Sequence, residues 1–226
     1  MKFSLRLCLL IAALVVCVTA PVVADDTPAQ SGPQPSQPAE PAQPAQTQQV
    51  AQYNLGDQTM SINAGLFLPL FLMGGSQVTW LLTNTTTGTG YSPHLSAGIV
   101  GSVSWAAYIT PQIRVGADIA GNATWSPNGN TLLMLPFIAK ASYIFSAYPF
   151  EFPLSLGVGM NIIKYVDDST IDLLVRPGVG AYWVFNSSWS FGLNLNYWFD
   201  MQFATTAANS RQGNFLEVSL GALYHY

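Results

Sequence analysis

The sequence predicts an all-β fold: an eight-stranded antiparallel up-and-down transmembrane β-barrel, preceded by a cleavable leader and a disordered linker. Three observations carry that expectation. Apolar residues alternate with small or polar ones at period two through most of the chain after residue 58, which is the strand signal. Only 8% of the 226 residues are charged while 50% are hydrophobic, against about 25% charged in an average soluble protein. The connections between alternating segments run long and short by turns, as they do in membrane barrels.

Residues 1–24 have the parts of a secretory signal: Lys2 and Arg6, an apolar run from Leu7 to Val18, then Val22-Val23-Ala24. A small residue at Ala24 favours cleavage before Asp25. Cys17 raises a second reading, lipid acylation, which it fits poorly because Val16 stands where Gly, Ala or Ser normally precedes such a cysteine. Both cysteines, Cys8 and Cys17, fall in this leader, so a mature chain has no disulfide, thiolate nucleophile or Cys metal site. Residues 25–52 hold six Pro and eight Gln. Such a stretch cannot bury enough apolar surface to order itself, and it reads as an extended periplasmic linker. The barrel is assigned to 53–226.

Eight segments then alternate in turn. Met60 to Met73 puts Met60, Ile62, Leu66 and Leu68 on one face, with Ser61, Asn63, Gly65 and Phe67 on the other. Leu95 to Ile109 opposes Leu95, Ile99, Val103 and Trp105 to Ser96, Gly98, Ser102 and Ser104. Ile113 to Trp125 is the cleanest, with Ile113, Val115, Ile119 and Trp125 against Arg114, Gly116, Asp118 and Asn122. Leu132 to Phe145 sets Leu133, Phe137 and Tyr143 opposite Lys140 and Ser142. Phe152 to Ile163 sets Leu154, Leu156, Val158 and Met160 opposite Ser155, Gly157 and Asn161. Leu173 to Phe185 opposes Val175, Val179 and Trp183 to Arg176, Gly178 and Tyr182. Trp189 to Met201 opposes Phe191, Leu193, Leu195 and Tyr197 to Ser190, Asn194, Asn196 and Asp200. Phe215 to Tyr226 opposes Leu216, Val218, Leu220, Tyr224 and Tyr226 to Glu217, Ser219, Leu223 and His225.

Parity decides which face meets lipid. A membrane barrel is apolar outside and polar within, and Arg114, Asp118, Lys140, Arg176, Asp200 and Glu217 all share the polar parity. Lys164 is the exception, at a segment end where its stem can snorkel to the headgroups. Long connections are expected over 74–94, 126–131, 164–172 and 202–214, and short ones at 110–112, 146–151 and 186–188. Aromatics gather near the ends, Phe145, Trp183, Phe185, Trp189, Tyr224 and Tyr226 at one and Trp125, Tyr197 and Phe199 at the other. A helical membrane protein is disfavoured by recurrent Gly and Pro and by apolar runs mostly too short for a span. A soluble lipocalin-like barrel would turn Arg114 and Lys140 outward and leave the aromatic girdles without a purpose.

The final strand, FLEVSLGALYHY, resembles the C-terminal signature of bacterial outer-membrane proteins. The region 58–226 is similar in architecture to the OmpA membrane domain, OmpX and OmpW families. No motif matches residue by residue, so no functional residue carries over. The resemblance implies an outer-membrane location with extracellular loops and both termini periplasmic. It also implies membrane lipid as partner, delivery by periplasmic chaperones to the barrel-assembly machinery, and Tyr224 and Tyr226 as the insertion signal.

Six interior charges cannot be left unpaired. The expected arrangement is two ion-pair clusters, Arg114, Asp118 and Lys140 in the lower and middle bore, and Arg176, Asp200 and Glu217 near the outer mouth. Trp80, Leu81 and Leu82, in the first long connection, offer a loop surface for a host or small-molecule ligand, or a simple strand extension. Catalysis finds little support. His94 stands near Ser92 and could face Asp200, but no motif fixes their geometry. Gly157-Val158-Gly159 lacks the third glycine of a nucleotide loop, Ile162 standing there. No cofactor or metal is expected, and without a basic patch nucleic-acid binding is excluded. The function expected is a non-enzymatic barrel with a polar, ion-paired lumen, contributing to envelope integrity or binding through its loops. The alternative is an OmpW-like channel for small or hydrophobic solutes.

Overall fold

A computed structural model describes residues 53–74, 77–82, 94–126, 129–166, 168–203 and 211–226. The leader, the linker and Ser92 lie outside the described residues. Within them are nine strands and no helix: β1 (Gln58–Gly74), β2 (Gln77–Trp80), β3 (Gly98–Tyr108), β4 (Ile113–Trp125), β5 (Thr131–Ala147), β6 (Phe150–Tyr165), β7 (Asp168–Val184), β8 (Trp189–Gln202) and β9 (Arg211–His225). All but β2 form a closed antiparallel eight-stranded barrel, with β9 returning to pair with β1 from Thr59↔His225 to Gly74↔Arg211. Closure removes the open edge that would otherwise template aggregation. The short β2 folds back on the end of β1, pairing Phe71↔Trp80. The first long connection is therefore, in part, a strand extension.

Side chains alternate as the sequence pattern requires. β3 is buried and exposed by turns along its length, with Ile99, Val103 and Trp105 exposed and Ser102, Ser104 and Tyr108 buried. β6 exposes Leu154, Leu156, Val158, Met160 and Ile162 in succession. An apolar face on every strand far exceeds the few hundred Å² that a soluble monomer exposes; in lipid it is the stable side. At the end of the barrel with the short turns, outward rings form a belt. Trp183 meets Phe185 at 5.5 Å, Trp189 meets Tyr224 at 4.9 Å and Tyr224 meets Tyr226 at 5.9 Å between centroids.

The strands depart from the sequence reading at the other end, here the loop end. β6 and β7 run on to Tyr165↔Asp168, where a connection over 164–172 was expected. The polar run Asp168-Ser169-Thr170 reads as a turn, yet it is a strand standing beyond the apolar band. β9 likewise begins at Arg211 rather than 215. Leu95 is buried instead of facing outward, because β3 starts only at Gly98 and its alternation does not reach residue 95. Prolines interrupt the ladder on one side each, since they have no N–H to give. Pro136, Pro153 and Pro177 keep their pairing to one neighbour and skip it to the other.

Candidate functional site

The bore is filled in three layers. At the turn end, residues 53–57 hook back into the barrel. Gly56 adopts φ 96°, open to glycine and strained for other residues, and its N–H donates to the Tyr108 carbonyl at 2.9 Å. The hook delivers the Tyr53 ring between Tyr108 and His225, at 4.4 Å and 4.9 Å between centroids and nearly parallel to both. The Tyr53 hydroxyl donates to Glu151 Oε1 at 2.6 Å. Burial, and then the neighbouring Glu151 carboxylate, push the Tyr53 phenol up, so it keeps the proton it donates. His225 Nε2 lies 3.2 Å from Ser190 Oγ. This Ser–His pair is buried under the hook, and among the described residues His225 Nδ1 has no hydrogen-bond partner of the kind that would orient a catalytic base.

The middle layer is ionic. Asp118, only 1% exposed, accepts from Lys140 Nζ at 3.2 Å and is paired directly with Arg176. Arg176 also approaches Glu217 at 3.7 Å and lies 5.4 Å from the centroid of the Trp198 ring. Glu217 is held further by Trp198 Nε1 at 2.9 Å and Ser219 Oγ at 2.8 Å. Register brings the two cations level: Lys140, Gly157 and Arg176 occupy one rung of adjacent strands, and Asp118 lies diagonally across from Lys140, which pairs with Gly116. A side chain at Gly157 would strike Ile138. Two carboxylates and two cations leave the network neutral, which lowers the cost of burying each charge. A polar cavity of about 30 Å³ beside it has the liquid volume of about one water.

The third layer is apolar. Phe67, Leu81, Leu132, Met134, Leu174, Trp198 and Phe215 form a buried cluster toward the loop end. Phe67 packs on Trp198 edge-on at 4.9 Å and on Phe215 at 5.1 Å. The lumen is thus polar only in part. Above this floor opens a cavity of about 360 Å³, whose walls include Leu95, Leu132, Met134 and Phe215 together with Asp168, Asp172, Asp200 and Arg211. Asn161 Nδ2 donates to Asp200 Oδ2 at 2.9 Å. Asp172 Oδ1, Asp200 Oδ1 and Asn161 Oδ1 have no hydrogen-bond partner among the described residues.

The two expected ion clusters are replaced by one network. Asp118, Lys140, Arg176 and Glu217 come together, whereas Arg114 and Asp200 enter no ion pair among the described residues. The reason lies in β7: with five residues added at its start, Arg176 sits in mid-strand rather than at the mouth. Trp80 and Leu82 are exposed, but Leu81 is 1% exposed and belongs to the buried floor. Tyr224 and Tyr226 lie in the outward belt. Tyr53, Glu151, Asp172 and Trp198 escaped sequence reasoning. Only Trp198 had a readable signal, an inward parity between Tyr197 and Phe199.

A protein-family model matches residues 36–224, and the chain belongs to the family that model describes. An uncharacterized protein of Treponema pallidum (strain Nichols) is 24% identical over 175 residues, spanning 76% of this chain and 78% of its own length. Among solved structures, Neisserial surface protein A (NspA) superposes with a TM-score of 0.55 at 11% identity, over 76% of this chain and 97% of that one. The outer membrane protein OprG from Pseudomonas aeruginosa is similar at a TM-score of 0.47 and 10% identity, over 78% and 99%. The chain has the fold of the small eight-stranded outer-membrane β-barrels.

Proposed function

We propose that the chain is a non-enzymatic outer-membrane barrel that works by binding at its loop-end mouth, its bore being closed to ions. The carrying observation is the packing of the bore: the Tyr53 hook, the neutral ion network and the aromatic floor follow one another, and the mid-bore space is about 30 Å³. On the loop side of that floor lies an open cavity of about 360 Å³, at the low end of the ~300–1,000 Å³ usual for small-molecule sites. Purified barrel in planar bilayers is expected to stay electrically silent; discrete current steps would contradict the closed bore.

Catalysis is disfavoured by the same geometry. His94 has no hydrogen-bond or ion-pair partner among the described residues, and the Ser190–His225 pair is sealed. A channel for small or hydrophobic solutes draws support from the apolar cavity walls, but a solute would have to leave sideways through the barrel wall. Under the proposed reading the chain is exported by the 1–24 leader and carries the 25–52 linker in the periplasm. The barrel-assembly machinery inserts it with Tyr224 and Tyr226 as signal, loops extracellular and termini periplasmic. The aromatic belt at the end where the described residues begin and end supports that orientation.

A further inference from the structure

The loop-end cavity combines greasy walls with two acids that form no ion pair among the described residues. Asp172 and Asp200 are more than nine-tenths buried, line the cavity and each keep one carboxylate oxygen without a partner among the described residues. They occupy adjacent strands, offset diagonally, since Asp200 pairs with Leu174; diagonal neighbours lie within about 7–8 Å. Beyond the leader the sequence has five cations: Arg114, Lys140, Lys164, Arg176 and Arg211. Lys140 and Arg176 are committed to Asp118 and Glu217. Arg211 lines the cavity but pairs with neither acid among the described residues, and the connections 83–93 and 204–210 contain no Lys, Arg or His to add. Two buried carboxyls so placed either share protons or wait for a cation from outside.

We propose that this cavity binds an amphipathic amine, its ammonium against Asp172 and Asp200 and its apolar body against Leu132, Met134 and Phe215. The proposal rests on the mouth-binding reading above and supplies its ligand class. A primary ammonium brings three donors to carboxylate oxygens that lack them, and the apolar floor accepts what a hydrated metal ion could not use. A calcium site wants six to eight oxygens, and among the described residues no group of three or more His, Cys, Asp or Glu is placed to hold a metal.

The test is calorimetry on the full chain in lipid nanodiscs, with empty nanodiscs as blank. The probes are 3-phenylpropylamine, the matched alcohol 3-phenylpropanol, and calcium chloride. The amine is expected to bind saturably and at least about tenfold more tightly than the alcohol, as loss of a buried charge partner requires. The Asp172→Asn/Asp200→Asn pair should abolish that preference while leaving alcohol binding unchanged, and Leu132→Trp should weaken both by filling the cavity. If the double variant fails to fold, Asp172→Asn alone, which leaves the Asn161–Asp200 bond intact, carries the comparison. Equal affinity for amine and alcohol, no saturable binding, or calcium binding that depends on the two acids would each overturn the proposal. A silent bilayer with no amine binding removes the ligand and leaves the closed bore standing. Current with amine binding intact removes the closed bore and leaves the ligand.

Discussion

At the scale of single residues, the bore separates charges that are held from charges that are tolerated. Asp118 joins Lys140 and Arg176, so removing its carboxylate leaves two cations facing each other out of water. Asp118→Ala should cost about 3–5 kcal/mol, read as a clear fall in heat-unfolding temperature in detergent micelles; an unchanged temperature would contradict the network. Arg114 makes no ion pair among the described residues, and Arg114→Met should cost far less in the same assay. Asp200→Asn should be neutral or stabilising, because the amide can still accept from Asn161 while a like charge near Asp172 disappears. These three outcomes order the acids and bases by partner and not by depth, since all three are buried.

Among elements, the alternation of β4 was legible because β-branched or aromatic Ile113, Val115, Ile119 and Trp125 share one parity and Arg114, Asp118 and Asn122 the other. The rungs were not legible. Parity places a side chain inside the bore, but its height depends on where each hairpin turns. A connection expected over 164–172 starts the strand at Leu173, five residues after Asp168, and so sets Arg176 near the mouth with Asp200. The hook before β1 was equally hidden, because one tyrosine after a Pro- and Gln-rich stretch has no periodicity. Its weight can be measured: Tyr53→Phe keeps the stack and loses the bond to Glu151, a cost of about 1 kcal/mol, whereas Tyr53→Ala should cost about 3–5 kcal/mol. Equal melting of the two variants would mean the rings contribute nothing beyond the hydroxyl. On the lipid face, Ile119→Arg should destabilise insertion by ~2–4 kcal/mol, scored by refolding yield into vesicles.

For the whole molecule, closure, strand number and inside–outside sorting follow from the residue pattern, while the layering of the bore does not. A lumen face holding Phe67, Trp198 and Phe215 at one end and Asp118 and Arg176 in the middle has no simple hydropathy signature. It appears only when eight registers are stacked. The result is a barrel whose interior, among the described residues, is packed apart from a water-sized space beside the ion network and the cavity at the mouth, which is why binding there, and not passage, is the reading favoured. The most direct test is a spin-label walk from Ile113 to Trp125 in lipid bilayers, scoring collision with oxygen and with a water-soluble nickel chelate. Odd positions should collide with oxygen, and even positions should be shielded from both reagents. A helical rhythm along the walk, or even positions open to the chelate throughout, would contradict a lipid-facing strand wrapped around a packed bore.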